Sequence, residues 1–481
     1  MEILGRRGGA KSITAKDGGV DVLERQSIML AIYFFERSFE NSKMPNSEGG
    51  RLKMKARRSV VAVLLLALLL TPSVVFAAES PLELRMWIYA LGPHPAAWMP
   101  VIEGFNATND RIQIKAEVFP DLEEKISAAF ATKSAPDIVL GDPTSFSRLI
   151  TNGLVVPIDK LGVITEEVAH DMFFEGLLQA FSRDGVLYAL PVESDPGSFT
   201  ILANRDMFEK AGITMPLQYE SWEHWIETAK KLTVYDNQGN VQVAGVNMRT
   251  HHVFDTFLHA VKSLGGEYFD PKTGQFTIDN EIGLQALTML HSPQLELNID
   301  NPQHPRMRES LLQGHAAMIC DAPIIINLAK EEYPDINIGV SFYPPLVAGQ
   351  EPWALITRGW AMGVNAQTTT PQKMEAAGEF FKYFFRDDVY LDFLIRYSGT
   401  PSTISMAEHD YFKTGPGSIF APVLATAPNW VGIEYIGDIA RYKAIFWRIS
   451  QQISIGELGL KEALTMLEKE LNFIASDTYL P

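Results

Sequence analysis

The 481-residue chain has one cysteine, Cys320, so no disulfide can form within it and its core is held by packing alone. Signatures of catalysis are equally scarce. The sequence has no GxSxG turn to present a serine nucleophile, no GxxxxGK[ST] phosphate loop, no HExxH zinc pair, no GxGxxG after a strand and no CxxC pair. Basic residues are also few. Residues 78–481 carry 29 Lys and Arg against 51 Asp and Glu, a formal net of −22. A surface of that sign repels phosphate backbones and anionic lipid, which excludes nucleic acid and membrane surfaces as expected partners. Internal repeats and low-complexity tracts are absent.

What is present is the composition of a globular protein, 46% hydrophobic and 21% charged, long enough for two or three domains. The N-terminus reads differently. From Met54 the chain runs "MKARRSVVAVLLLALLLTPSVVFAAES": a basic start at Lys55, Arg57 and Arg58, an eleven-residue apolar run from Val60 to Leu70, and the small-residue pattern Val75-Phe76-Ala77. This is the layout of a secretory signal peptide over residues 54–77, cut after Ala77. An uncleaved anchor is the other reading, but eleven residues fall short of the roughly 17–25 that span a bilayer. Residues 1–53 then read as a start-site artefact ahead of the true initiator. No cysteine follows the cleavage point to carry a lipid, so the exported chain is expected free in a periplasm.

The remainder alternates strand-like and helix-like segments. "LELRMWIY" (Leu82 to Tyr89) and "IQIKAEV" (Ile112 to Val118) predict strands with a helical stretch near Pro100 to Asn106 between them, and Asp121 to Ala131 predicts a helix. In "APDIVLGD" the apolar run Ile138 to Leu140 sits between turn residues, as a short buried strand does. This is the rhythm of a parallel sheet with crossover helices. "SWEHWIETAKKL" places Trp222, Trp225, Ile226, Ala229 and Leu232 on one helical face, with Glu223 in the first turn and Lys230 and Lys231 in the last, so these tryptophans are expected in the core. "TTPQKMEAAGEFFKYFFRDD" predicts a helix starting at Pro371 with Met374, Ala377, Phe381 and Phe384 at helical spacing. His251-His252 is the one adjacent histidine pair, and zinc on a helix wants spacing of four and further ligands. His94, His304 and His315 are expected at surface or capping positions. No metal or cofactor is expected.

The ordered set "APDIVLGD", "NGLVVPID", "GVLYALPVE", "LANRDMFEKAGI", "SWEHWIETAKKL", "GHAAMIC", "AAGEFFKYFF" and "SGTPS" resembles the family 1 extracellular solute-binding proteins, the sugar-binding components of ABC importers, over residues 80–481. Two usual aromatics are replaced: Ala203 stands where a Tyr is common, and Ile324 follows Pro323 where a Trp is common. The resemblance implies an α/β fold of the two-lobe periplasmic-binding-protein type II, with ligand in the cleft. It puts the N-terminal lobe at residues 79–190 plus 345–387 and the C-terminal lobe at 195–340 plus 390–481, with crossings near Pro191 to Ile201, Ile338 to Pro345 and Phe385 to Tyr390. It also implies a monomer that captures a carbohydrate or polyol and delivers it to the permease subunits of the importer.

A sugar needs a flat apolar face for its C–H patches and polar groups for its hydroxyls. Candidate faces are Trp87, Trp360 and Trp430, and candidate polar partners are Glu193, Asp195, Asp321 and Arg358. Arg358 also hints at an acidic sugar or phosphorylated polyol, although a structural salt bridge has the same sequence appearance. Asp142, at the carboxyl end of its strand, is expected either to accept ligand hydroxyls or to cap the helix that starts near Thr144. A secreted carbohydrate-active enzyme using Glu193 and Asp195 as acid and base is the rival reading, and a ligand-loaded accessory of a sensory receptor is a third.

Overall fold

The strand Leu82–Tyr89 alternates as its sequence requires, with Leu84, Met86 and Ile88 fully buried on one face. Each such side chain contributes roughly 1.5–3 kcal/mol on burial. It is the first described element of a computed structural model that covers residues 80–479 except 91, 250 and 251. The readings of residues 1–53 and 54–77, and His251, lie outside the described residues.

Leu82–Tyr89 pairs in parallel with Ile112–Phe119 over its full length, Leu82 opposite Ile112 and Tyr89 opposite Phe119, and on its other side with Ile138–Gly141. Parallel neighbours need a crossover, supplied by the helices His94–Thr108 and Leu122–Ala131. Two further strands complete this sheet: Ala361–Val364 lies antiparallel against Ile138–Gly141, and Ala189–Pro191, antiparallel to Ala361–Val364 and so parallel to the first three, lies outside it. The first helix begins at His94, earlier than the stretch from Pro100. Pro93 and Pro95 look like breakers in the sequence, but proline is tolerated where the first helical N–H groups have no partner anyway.

A second, three-stranded sheet is antiparallel throughout, with Thr200–Asn204 between Met318–Cys320 and Ile338–Phe342. The helix Trp222–Leu232 packs nearby with its expected face inward. Ser221 caps it by accepting from His224 N at 3.2 Å, and Trp225 meets Tyr343 edge to face at 5.5 Å. The helix Pro371–Phe384 is capped by Thr370 and buries Ala377, Phe381 and Phe384, while Met374 is half-buried.

Three stretches of backbone join the neighbourhoods of the two sheets. Residues 192–199 run from Ala189–Pro191 to Thr200–Asn204, and residues 343–360 return from Ile338–Phe342 to Ala361–Val364. The third differs in place from the crossing expected near Phe385 to Tyr390. The helix Asp387–Tyr397 still packs on the first sheet's layer, with Phe393 against Trp98 at 4.8 Å. Residues 400–402 are the ones that run beside the first joining segment: Ser194 N donates to Thr400 O at 2.9 Å, and Ser402 Oγ donates to Pro191 O at 2.7 Å. The placement near Phe385 to Tyr390 rests on the resemblance alone, and in the structure Asp387 and Asp388 open the next helix.

Candidate functional site

Strand direction gathers the site. In the five-stranded sheet Tyr89, Gly141 and Pro191 end strands that run in the same direction, and Ala361, opposite both Gly141 and Pro191, begins the one antiparallel strand between them. Asp142, Val192-Glu193 and Trp360 therefore meet at one edge, with Val192 N donating to Trp360 O at 2.8 Å. In the second sheet Cys320 and Thr200 close one edge, so Asp195 enters there, and Asp321 leaves it with its N–H on Thr200 O at 3.1 Å. Ligands bind beyond strand ends in open α/β sheets, and a cavity of about 410 Å³ lies here.

Asp142, Glu193, Asp195, Arg358 and Trp360 line this cavity, and Asp321 stands directly behind it. Trp87 and Trp430 do not line it. Trp87 donates its indole N–H to Glu117 at 2.7 Å and packs on Phe119, and Trp430 is buried against Phe174 with its N–H on Thr426. Asp142 holds the cap as well: its Oδ1 accepts from Ser145 N at 2.8 Å in the first turn of Pro143–Thr151.

Arg358 occupies the floor. Its Nε donates to Asp195 Oδ2 at 3.2 Å, and its Nη1 lies on the His252 ring. Asp195 Oδ1 in turn accepts from Gly197 N at 2.7 Å. Glycine is required on both sides of this arginine. A Cβ at Gly197 would fall 2.5 Å from Arg358 Cδ, and Gly359, at φ +95°, lets the Arg358 and Trp360 side chains diverge. Burial works to strip the guanidinium of its proton, yet Asp195, Asp321 and Asp255 together hold it above its ordinary pKa.

Glu193 is 5% exposed and accepts from Tyr397 OH at 3.2 Å. Burial first, and the neighbouring Asp195 second, push its carboxyl well above the usual carboxylate range. Tyr397 also meets His94 Nε2 at 3.1 Å, and burial lowers His94 to a pKa of about 3, so its ring is neutral. His94 was expected at a surface or cap; its place in the first helical turn turns it inward instead. Tyr89 stacks on Trp360 with centroids 5.9 Å apart, and His94 meets Trp360 edge to face at 4.8 Å. Tyr89, at a strand's carboxyl end, was legible in principle as a site residue by the rule that singled out Asp142.

Two more cations reach the cavity from distant sequence. Arg308, in the helix Met307–Leu312, pairs with Asp321 at 3.4 Å, and Lys443, in the helix Ile439–Ser454, pairs with Asp255 at 3.2 Å. No local pattern marks either one, because each is placed by tertiary packing. Among the described residues no cluster of His, Cys, Asp and Glu is arranged to hold a metal, and no helix is long and apolar enough to cross a membrane.

Comparison with known proteins agrees with this architecture. The sequence profile of the bacterial extracellular solute-binding proteins matches residues 91–390. A Brucella abortus protein designated a binding protein is 23% identical over 391 residues, 78% of this chain and 89% of that one. An ABC-transporter solute-binding protein from Thermotoga lettingae, solved with α-D-tagatose, has 20% identity and a TM-score of 0.65 over 82% of this chain and 100% of that one. The cyclic α-maltosyl-1,6-maltose binding protein of Arthrobacter globiformis has 17% identity and a TM-score of 0.68 over the same shares. The fold is thus the two-lobed one of these binding proteins.

Proposed function

The chain belongs to the bacterial extracellular solute-binding proteins, and from that premise we propose that it is the capture component of an ABC importer, binding a carbohydrate or related polyol and handing it to the permease. The observation that carries the reading is the cavity itself. Ring faces of Tyr89 and Trp360 lie beside Asp142, Glu193 and Asp195, the pairing of flat apolar surface with hydroxyl partners that a sugar needs. The sugars bound by the Thermotoga and Arthrobacter proteins point the same way.

In this reading Asp142, Glu193, Asp195, Arg358 and Trp360 touch the solute, joined by Tyr89, His94 and Tyr397, and Asp321 acts through Arg308. Trp87 and Trp430 serve the core. The two lobes close about the joining segments, excluding water and presenting a new surface to the permease. The protein acts as a monomer outside the cytoplasmic membrane, after removal of residues 54–77. No covalent step is asked of Glu193 and Asp195: Asp195 is already occupied by Arg358 and the Gly197 N–H, and Glu193 by Tyr397.

A thermal-shift screen of the purified protein against mono- and oligosaccharides, polyols, sugar acids, amino acids and metals, with product analysis on each hit, tests this. A sugar that raises the melting temperature and is recovered intact supports the reading. A sugar that is consumed moves the protein to the enzymes, and stabilisation by amino acids alone contradicts the carbohydrate assignment.

A further inference from the structure

The two sides of the cavity differ in kind. On the side built on the five-stranded sheet, Tyr89, His94, Trp360 and Tyr397 pack ring on ring. The cavity's cations are Arg308, from the helix Met307–Leu312 beside the second sheet, Lys443, from the helix Ile439–Ser454, and Arg358, from the joining segment 343–360.

Each of these cations is paired, and each pair is oriented the same way. The side chains of Arg308, Lys443 and Arg358 are 36%, 17% and 23% exposed, whereas their partners Asp321, Asp255 and Asp195 are 0%, 1% and 11% exposed. All three cations line the cavity, whereas Asp321 and Asp255 do not, and Asp195 lines it while paired with Arg358. Stability alone does not account for this. Buried ion pairs are often matched or bettered by apolar residues of similar volume, so three in one wall are costly unless a ligand uses them. The buried acids pair with the cationic heads and position them, which prepays the ordering that an anion would otherwise impose.

Resting on the solute-binding reading, we propose that the solute is an acidic carbohydrate: its ring lies against Tyr89 and Trp360, and its carboxylate or phosphate oxygens are held by Arg308, Arg358 and Lys443. The acids that line the cavity do not oppose this. Asp195 is engaged by Arg358, Glu193 accepts from Tyr397 OH and its burial raises its pKa, and Asp142, at the end of the aromatic side, offers hydroxyls the oxygen not used in the helix cap. The cavity of about 410 Å³ sits within the range for small-ligand sites.

The test is calorimetric titration of the purified protein with glucose, galactose and mannose, each beside its uronic acid and its 6-phosphate, at one pH and ionic strength. The expected result is an acidic member binding at least ten-fold more tightly than its neutral parent; the arm that binds identifies carboxylate or phosphate as the head group. Arg308→Gln and Lys443→Met should each weaken that member at least ten-fold, and by a larger factor than they weaken the neutral parent. Either variant strands a buried carboxylate and lowers stability, so the wild-type comparison decides the proposal by itself. Neutral parents that bind as tightly as their acids overturn it and leave the solute-binding reading standing. If no acidic member binds, the proposal fails; if no sugar of any kind binds, the reading beneath it fails too.

Discussion

Glu193 is a carboxylic acid placed where a carboxylate is costly, and that placement has a measurable sign. In the unfolded chain it titrates in the ordinary range near 4.5, and in the folded protein burial and Asp195 hold its proton to higher pH. The folded state therefore binds this proton more tightly. Stability is lost as pH rises from the ordinary range through the folded value, by about 1.4 kcal/mol for each pH unit crossed, and is constant above it. Urea midpoints of wild type and Glu193→Gln between pH 4 and 8 should diverge in the variant's favour as pH rises; parallel curves would contradict the buried-acid assignment. Trp360 gives a second prediction. Trp360→Ala should weaken sugar binding on the order of ten-fold, about 1.4 kcal/mol, by titration, because it removes the stacking face without touching the cations. At this scale the sequence was only partly legible. That Asp142, Glu193 and Asp195 line the cavity follows from strand ends and joining segments, which are local features, whereas Trp87 and Trp430 are singled out by residue type, and type does not say which way an indole turns.

Helices and strands were far more legible, since their signals are local. Leu82–Tyr89 and Trp222–Leu232 occupy the spans that alternation and helical spacing predict. The first helix is an exception, because Pro93 and Pro95 carry a turn's composition while sitting at a helix start. Asp142 joins an element to the site, and substitution separates its two roles. Asp142→Ala should lose the cap, about 0.5–2 kcal/mol, together with affinity, whereas Asp142→Ser keeps a good cap and loses affinity alone. Thermal melts and titrations of both variants check this; retained affinity in Asp142→Ser would leave the residue a cap only. Asp137 is the corresponding structural anchor. It is 4% exposed and accepts from Arg85 N at 2.8 Å, Thr368 Oγ1 at 3.0 Å and Lys373 Nζ at 2.7 Å, tying the first strand to the helix Pro371–Phe384. Asp137→Ala should cost about 2–4 kcal/mol by urea unfolding with sugar affinity unchanged in the folded protein.

For the whole molecule, the absence of disulfides leaves stability to packing and to the solute, and the single thiol reports both. Cys320 is 4% exposed, and burial, with Asp321 beside it, raises its pKa far above the ordinary value. It should react with thiol reagents only through opening of the fold, and a bound solute should slow that reaction in proportion to occupancy; fast labelling of the native protein would contradict the burial. The two-lobed architecture was legible as a resemblance, because an ordered set of weak motifs carries more than any one of them. The convergence of Arg308 and Lys443 was not, because tertiary packing alone brings them to Arg358. The central claim is reversible capture in that convergence. Its most direct measurement is calorimetric titration of wild type and Trp360→Ala with the solute that raises the melting temperature, followed by mass analysis of the recovered solute. The expected result is one site per chain in the wild type, binding weakened on the order of ten-fold in the variant, and solute returned intact. Undiminished binding by the variant, or a solute returned as product, would contradict it.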